Sequence, residues 1–560
     1  MKKRLFWFAL LLAVAGLSIL WKCGLPAYRR HKETNSLSLA RGFMAKGDYA
    51  NASIAARQTL LVNSNNLAAC NLMAELAEVS HSPAALDWHR RIAELAPTVD
   101  NRVLLAAASL RVAAEPYSLA AQTLEDLGDL GKTSVAYQVV AAELALKLGK
   151  KSDAAAHFEA ATRLEPTNEF NQLNLAVLRL QGTGPGAAES ARATLERLAA
   201  RPVVGEIALR WLVGECLRTN DLSGAERYSE RLLSGPGVIQ ADRLEQLGIL
   251  RQSHSPEFDH RLAAVQRDSL TNAGAAYRVA KWMTACGLAD QAQMWLGGCS
   301  AKLRSEQPVP LAQAECYLAR RDWPGLESFL AGRDWQEFNF LRLAFLSRSA
   351  EQQQQKLVAE SRWRGAVRES ENQIGSLAAL LGLARSWGRA RDATDLLWRM
   401  GDHFPREKWI WRELGRELAA SGDTPGLKKL YATMAGNDPA NFAARNNFAA
   451  TSLLLKSDLP EAHAMARKLY QEHPQEPVIA STYAWSLHLQ GSTKEGLAVL
   501  EKLPEDQRAH PSVALYYGLL EAAAGDSTKG RRYLSLAREG ALLPEEKALL
   551  TEALENRLRP

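Results

Sequence analysis

The sequence predicts an all-α protein, a solenoid of stacked helix–turn–helix repeats, and three observations predict it. The chain has 560 residues, more than a single hydrophobic core usually holds, which is about 250–300 residues. Hydrophobic residues make up 47% and charged residues 23% of it, as in an ordinary folded chain. Helix-breaking residues also recur 34 positions apart, as a helical repeat requires. These pairs are Gly388 and Gly422, Pro405 and Pro439, and Gly491 and Gly525.

Small residues hold fixed places in the stretch KLGKKSDAAAHFEAATRLEP. Where two helix backbones approach closely only glycine or alanine fits, and Ala154 and Ala161 are expected to lie there with Phe158 filling the remaining space. Gly149 provides the positive φ that ends the first helix. Pro166 cannot extend the second helix and turns the chain towards the next repeat. The spacing therefore indicates packing, not catalysis.

A second stretch, WRELGRELAASGD, repeats the first half of the unit. Trp411, Leu414 and Gly415 form W-x-x-L-G, Gly422 closes the helix, and Pro439 ends the next one. With the stretch above, this resembles the tetratricopeptide repeat (TPR) family, whose unit is a 34-residue helix–turn–helix. The resemblance implies a right-handed superhelix of roughly 14 degenerate units, with the first helices on its concave side.

Composition and spacing suggest four segments. Residues 1–34 form an N-terminal anchor and juxtamembrane segment, and residues 35–234 form a first repeat array that ends at SGPGV. Residues 235–370 form a divergent helical region. Residues 371–560 form a second array with a capping helix, in which Pro544, Glu545 and Glu546 suit the first turn.

An apolar run without charges extends from Leu5 to Trp21 after the basic start Lys2, Lys3 and Arg4. Seventeen residues span roughly 25 Å, close to the thickness of the hydrocarbon core. Lys22 interrupts any good cleavage site and precedes Cys23, so an uncleaved anchor is favoured over a signal peptide or a lipoprotein. The predicted localisation is a single-pass inner-membrane protein with its repeats outside the cytoplasm, the opposite orientation staying open. The anchor residues are Leu5, Trp7, Leu12, Leu17 and Trp21.

Charge and cysteine content argue against two other classes. The net charge is +6 and the basic residues are dispersed, whereas nucleic-acid binding usually needs a concentrated basic stripe. The six cysteines form no C-x-x-C pair, which excludes a zinc ribbon or a thioredoxin-like motif. We therefore expect no nucleic acid, metal or cofactor, and mostly buried cysteines.

No catalytic constellation is recognisable. There is no H-E-x-x-H and no G-x-S-x-G, and LGKTS lacks the first glycine of a phosphate-binding loop. His254, Asp259 and His260 lie close together in the divergent region and leave a degenerate enzyme site open as an alternative. The expectation is a protein that is not an enzyme.

Two features could bind a partner. A basic and aromatic cluster extends from Arg362 to Arg412, and its tryptophans and arginines could hold an acidic or aromatic peptide, an anionic glycan or a lipid headgroup, or could simply fill and solvate the repeats. Asn174 and Asn447 fall at the sixth position of their units, where the resemblance implies contact with a peptide backbone, the alternative being ordinary polar surface. The cluster contains Trp363, Trp387, Trp398, Trp409, Trp411, Arg362, Arg364, Arg385, Arg389, Arg391 and Arg399.

The function that these features predict is a membrane-anchored scaffold that binds a peptide or partner protein on its concave face, in envelope assembly or export. The alternatives are a cytoplasm-facing regulatory adaptor at the membrane and an enzyme with its site in the divergent region. The partner-binding residues predicted are Asn174, Asn447, Arg385, Arg389, Arg391 and Trp387.

Overall fold

The computed structural model describes residues 25–112, 117–182 and 186–555, and this part of the chain is helical and contains no strand. Fifteen helix pairs follow one another in it. They are Leu25–Ala45 with Tyr49–Val62, Leu67–Val79 with Ala84–Leu95, Val99–Val112 with Ser118–Lys132, Val135–Lys147 with Lys151–Leu164, Glu169–Leu180 with Ala187–Leu198, Gly205–Arg218 with Leu222–Leu233, Gln240–Gln252 with Phe258–Asp268, Ala273–Ala285 with Ala289–Gly297, Val309–Ala319 with Trp323–Leu330, Asn339–Gln352 with Lys356–Glu369, Ile374–Ser386 with Ala390–His403, Lys408–Ser421 with Thr424–Asn437, Phe442–Leu454 with Leu459–Glu472, Pro477–Leu489 with Thr493–Leu500, and Pro511–Ala524 with Ser527–Ala537.

Five further elements complete the described chain. Short helices at Ala301–Ser305 and Glu505–Ala509 and 3-10 segments at Ser269–Thr271 and Gln336–Phe338 lie within or between pairs, and Pro544–Glu555 follows the last pair. The chain divides into two compact units, one ending at Trp282 and the other beginning at Met283. The fold class is therefore all-α and repetitive, as predicted.

The first unit shows how a repeat packs. In the fourth pair Ala154 and Ala161 are fully buried, and Phe158 lies beside Ala154 in an apolar cluster that also includes Leu175 of the next pair. Gly149 has φ +73° between the two helices, a conformation that costs residues with a side chain roughly 1–2 kcal/mol. Each pair thus buries its apolar face partly against its neighbour.

In the second unit two apolar clusters follow one another along the repeats. One extends from Ala314 to Leu430 and contains Trp363 and Trp411. The other extends from Leu453 to Leu550 and contains Trp485, Tyr516 and Tyr517. Glycines at the ends of first helices, Gly422, Gly491 and Gly525, have positive φ, whereas Pro439 and Pro166 lie exposed after second helices.

The predicted localisation as a single-pass membrane protein is contradicted. Within the described ranges no helix is both long and apolar enough to cross a membrane. Leu25–Ala45 has 21 residues, but charged side chains from Arg29 to Glu33 lie within it, and charges are costly in hydrocarbon. The anchor residues, Leu5, Trp7, Leu12, Leu17 and Trp21, lie outside the described residues. The predicted fold class also included a transmembrane helix, and the predicted partners included the membrane. Neither is supported by the described residues.

Candidate interaction surface

An open cavity of about 680 Å³ lies between Lys356–Glu369 and Ala390–His403, the second helices of two neighbouring pairs. We call it the arginine groove. An adjoining cavity of about 750 Å³ shares four lining residues with it. This second cavity extends to the turn that precedes Ala390–His403. The arginine groove is lined by Glu360, Trp363, Arg364, Val367, Arg368, Arg389, Arg391, Asp392, Asp395, Leu396 and Arg399.

Helical spacing explains the charged lining. Glu360, Arg364 and Arg368 recur every four residues and share one face of their helix. Glu360 accepts a hydrogen bond from Arg364 at 3.1 Å. On the facing helix Asp392 and Asp395 are three residues apart and also share a face. The floor between the helices is apolar because it belongs to the buried repeat cluster.

Arg389 lies in the groove with a side chain that is only 11% exposed. Its guanidinium carbon lies 4.3 Å from the ring centroid of Trp363, a cation–π distance. It donates to the Ser347 hydroxyl at 3.2 Å, and its Nε lies 2.8 Å from Asp392. Burial raises the pKa of Asp392 and the charge of Arg389 opposes that rise. The Arg389–Asp392 pair thus anchors one wall of the groove.

Trp387 joins this wall from the turn before the second helix. Its ring lies edge-on to Phe345 and Trp363, at centroid distances of 5.9 and 6.4 Å. The guanidinium of Arg348 lies 5.7 Å from the Trp387 ring centroid. The half-buried Trp387 lines the adjoining cavity. The structure therefore brings Trp387 and Arg389, two of the predicted binding residues, together around Trp363.

Two arginines in the groove stay without a partner, and one predicted arginine does not belong to the groove. Arg368 and Arg391 are exposed, and no ion pair or hydrogen bond of their side chains is present among the described residues. Arg385 instead contacts Glu413 at 3.1 Å and Glu417 at 2.9 Å on the next pair, which neutralises it. Arg391 is thus the predicted arginine whose charge stays free.

The remaining aromatic residues of the predicted cluster serve packing more than a shared surface. Trp411 is buried, and its indole N–H donates to the Pro405 carbonyl at 2.9 Å. The Lys429 ammonium lies 4.3 Å from the Trp398 ring centroid, and Trp409 is half-buried. The gap-filling interpretation therefore describes Trp411, and the binding interpretation is confined to the residues around Trp363.

Asn174 and Asn447 lie in different units and are each described separately. Both are half-buried on a first helix, and neither side chain has a hydrogen-bond partner in the described part of the chain. Each has a buried neighbour with an unsatisfied amide atom, Asn171 Nδ2 and Asn446 Oδ1. The side chains of Asn174 and Asn447 therefore have hydrogen-bonding capacity to offer a peptide backbone. The sequence did not predict the neighbouring Asn171 and Asn446.

The three residues of the alternative enzyme site lie at the surface. His254, Asp259 and His260 are all exposed, and His254 lies in a turn with φ +53°. Among the described residues no three histidine, cysteine or acidic side chains are grouped so that they could hold a metal ion.

From Ile374 onward the first helices begin at regular intervals, as a helical repeat requires. Ile374, Lys408, Phe442, Pro477 and Pro511 are 34, 34, 35 and 34 residues apart. Each of these first helices is followed by a short turn and then by a second helix.

This part of the chain therefore has the spacing of a 34-residue helix–turn–helix repeat.

Solved structures of low sequence identity resemble this chain. No protein-family profile and no curated protein matches the chain. Solved structures similar to it include Pseudomonas aeruginosa pilF, with 18% identity over 40% of this chain and 99% of that one at a TM-score of 0.32. Another is the APC/C hetero-tetramer Cut9–Hcn1, with 12% identity over 82% and 98% at 0.30. A tetratricopeptide repeat protein from Parabacteroides merdae gives 14% over 44% and 97% at 0.25. At such TM-scores these likenesses say nothing about this chain's partner or the arrangement of its repeats.

Proposed function

We propose that this protein is a non-enzymatic interaction scaffold whose arginine groove binds an acidic segment of a partner protein. The observation that carries the proposal is the pair of unpartnered arginines, Arg368 and Arg391, beside an apolar floor. Guanidinium groups bind carboxylates through two parallel hydrogen bonds. The predicted role in envelope assembly or export depended on the membrane anchor and is not part of the proposal.

Charge complementarity supports an acidic partner. Five arginines and three carboxylates line the groove, so the lining carries an excess of two positive charges. Glu360 is already bonded to Arg364, and Asp392 to Arg389. The charges that remain are three arginines and Asp395, so the excess is positive and favours carboxylates. The buried Trp363 and Leu396 offer apolar contact beside them.

The test uses fluorescence anisotropy with two labelled dodecapeptides, one of glutamate, serine and glycine and the other with lysine in place of glutamate. Purified full-length protein is expected to bind the glutamate peptide and to lose affinity as salt rises, because exposed charges are screened. The double variant Arg368→Glu, Arg391→Glu is expected to bind it about tenfold more weakly, since each exposed pair contributes about 0.2–1 kcal/mol and reversal adds repulsion.

A matched control reverses two exposed arginines of the other unit, Arg41→Glu and Arg57→Glu, and so makes the same change in net charge. The control variant is expected to keep most of the wild-type affinity. Equal weakening in both double variants, or equal binding of the two peptides by wild-type protein, would refute a specific site at the arginine groove.

The predicted asparagine positions remain a second proposal for backbone recognition. Asn174 and Asn447 carry free amides on first helices, and an amide both donates and accepts. Asn447→Ala is expected to weaken a peptide that binds in extended form, whereas Asn437→Ala, at the end of a second helix, is expected to have no effect.

A further inference from the structure

The end of the described chain returns to a repeat far earlier in the sequence. The Thr424 hydroxyl donates to a carboxylate oxygen of Glu545, across 121 residues. A Cβ on Gly422 would lie 2.9 Å from Pro544 Cγ, so the proline ring fills the space beside that glycine. Leu543 packs against the apolar cluster that includes Leu430. The segment before Pro544–Glu555 therefore bridges from the last pair to the twelfth.

The same helix covers the first helix of the last pair. Glu546 accepts a hydrogen bond from the Tyr516 hydroxyl at 2.7 Å and another from the Leu543 N–H at 2.9 Å. Tyr516 is the sixth residue of Pro511–Ala524, the position at which Asn174 and Asn447 lie on their helices, yet it is only 7% exposed. Pro544–Glu555 thus covers the sixth position of its neighbouring helix. The same position stays accessible in the two repeats that carry Asn174 and Asn447.

Tyr516 belongs to an aromatic group that has hydrogen-bonding capacity. The ring centroids of Trp485 and Tyr516 are 5.5 Å apart, and His488 stacks on Trp485 at 5.0 Å. Trp485 Nε1 is buried and has no hydrogen-bond partner among the described residues. Leu550 of the terminal helix belongs to the same buried cluster.

The terminal helix is held lightly compared with a repeat helix. Among the residues of Pro544–Glu555, Leu550 alone is buried, and Leu549, Ala553 and Leu554 are partly buried against the same cluster. The preceding helix, Ser527–Ala537, buries Gly530, Tyr533, Leu534 and Ala537. Elements with few buried apolar contacts open at a lower free energy than the rest of a fold. Pro544–Glu555 is therefore expected to open at a lower free energy than the fifteenth pair.

We propose that Pro544–Glu555 is a displaceable intrachain ligand, which occupies a second binding surface around Tyr516 on the first helix of the fifteenth pair. The partner that this surface accepts is an amphipathic helix with two carboxylates in its first turn and leucines one turn later. The inference rests on the proposed scaffold function but uses a surface separate from the arginine groove, so either can fail alone.

The test offers the ligand in trans to the full-length chain. The probe is a labelled synthetic peptide, GALLPEEKALLTEALE, which reproduces residues 540–555. The variant Glu546→Ala, Leu550→Ser weakens the helix in the chain and leaves the surface beneath it unchanged. This variant is expected to bind the peptide at least tenfold more tightly than wild-type protein, because the surface is no longer occupied. Lys547→Ala, on the exposed side of the same helix, is the control and is expected to bind as wild type does.

Two further measurements keep the inference falsifiable. A peptide that carries the same two substitutions is expected not to bind. Tyr516→Phe, added to the Glu546→Ala, Leu550→Ser variant, is expected to lower the affinity for the native peptide severalfold. If the opened variant does not fold, hydrogen exchange of the wild-type chain decides. Exchange at 547–555 at least tenfold faster than at 513–524 supports displacement, and exchange of both segments together overturns it. Equal binding of the native and substituted peptides also overturns it.

Discussion

Gly401→Ala tests how the tryptophan of the W-x-x-L-G motif packs. Gly401 lies in the last turn of Ala390–His403, and a Cβ there would lie 2.6 and 3.0 Å from Cζ3 and Cζ2 of Trp411. The indole is rigid and its N–H is fixed by the Pro405 carbonyl, so it cannot move aside cheaply. Overpacking of this kind costs about 1–3 kcal/mol. Alanine recovers about 0.5–1 kcal/mol of helix propensity, which leaves a net loss of up to about 2.5 kcal/mol.

Gly382→Ala is the matched control, because Gly382 lies in the first helix of the same pair and a Cβ there meets nothing within 4 Å. This substitution is expected to stabilise by about 0.5–1 kcal/mol. Urea unfolding followed by circular dichroism, with thermal midpoints as a check, measures both variants. The difference between them isolates the clash and is expected to be about 1–3 kcal/mol. Equal stability of the two variants would refute this packing.

Three further changes test other parts of the fold by urea unfolding. Phe158→Ala removes a side chain that is 3% exposed and is expected to lower the free energy of unfolding by about 3–5 kcal/mol. A loss below about 1 kcal/mol would contradict the core position of Phe158. Lys529→Met leaves the buried Glu521 without the ammonium 2.5 Å away and is expected to cost about 1–3 kcal/mol, whereas a neutral result would show that the pair contributes nothing. Burial, followed by the charge of Asp221, raises the pKa of the Cys216 thiol from 9.0 to about 11. Because the folded state then keeps its proton longer, the free energy of unfolding falls between these two pH values, and Cys216→Ser should show a shallower fall than wild type.

The repeat could be predicted from the sequence because its determinants are local. Ala154 and Phe158 are four residues apart on one helix, and their sizes alone indicate where two backbones meet. The regular spacing of glycines and prolines then gives the helix boundaries. The sequence therefore predicted roughly 14 helix pairs, and the described residues contain fifteen.

The binding surfaces depend on contacts between repeats, which spacing does not specify. Arg385 and Arg389 are four residues apart, yet one contacts the next pair and the other stacks on Trp363 of the preceding pair. The helix ends at Ser386 between them, so the rule that residues four apart share a face does not apply. Arg368 lies four residues after Arg364 in the same helix, and this spacing indicates that both side chains share the face that lines the groove.

The contact between Thr424 and Glu545 lies beyond any pattern in the sequence. It depends on small rotations that accumulate over the intervening repeats, because the two residues are 121 positions apart. The sequence predicted Pro544–Glu555 as a capping helix, and what it covers at Tyr516 became visible only in three dimensions.

A charge exchange tests the central claim most directly. In the variant Arg368→Glu, Arg391→Glu the groove lining changes from five arginines and three carboxylates to three arginines and five carboxylates. Anisotropy titrations of wild type and variant with the glutamate and lysine peptides measure the preference of each. The account predicts that wild type prefers the glutamate peptide and that the variant prefers the lysine peptide. An unchanged preference in the variant would contradict the arginine groove as the binding site.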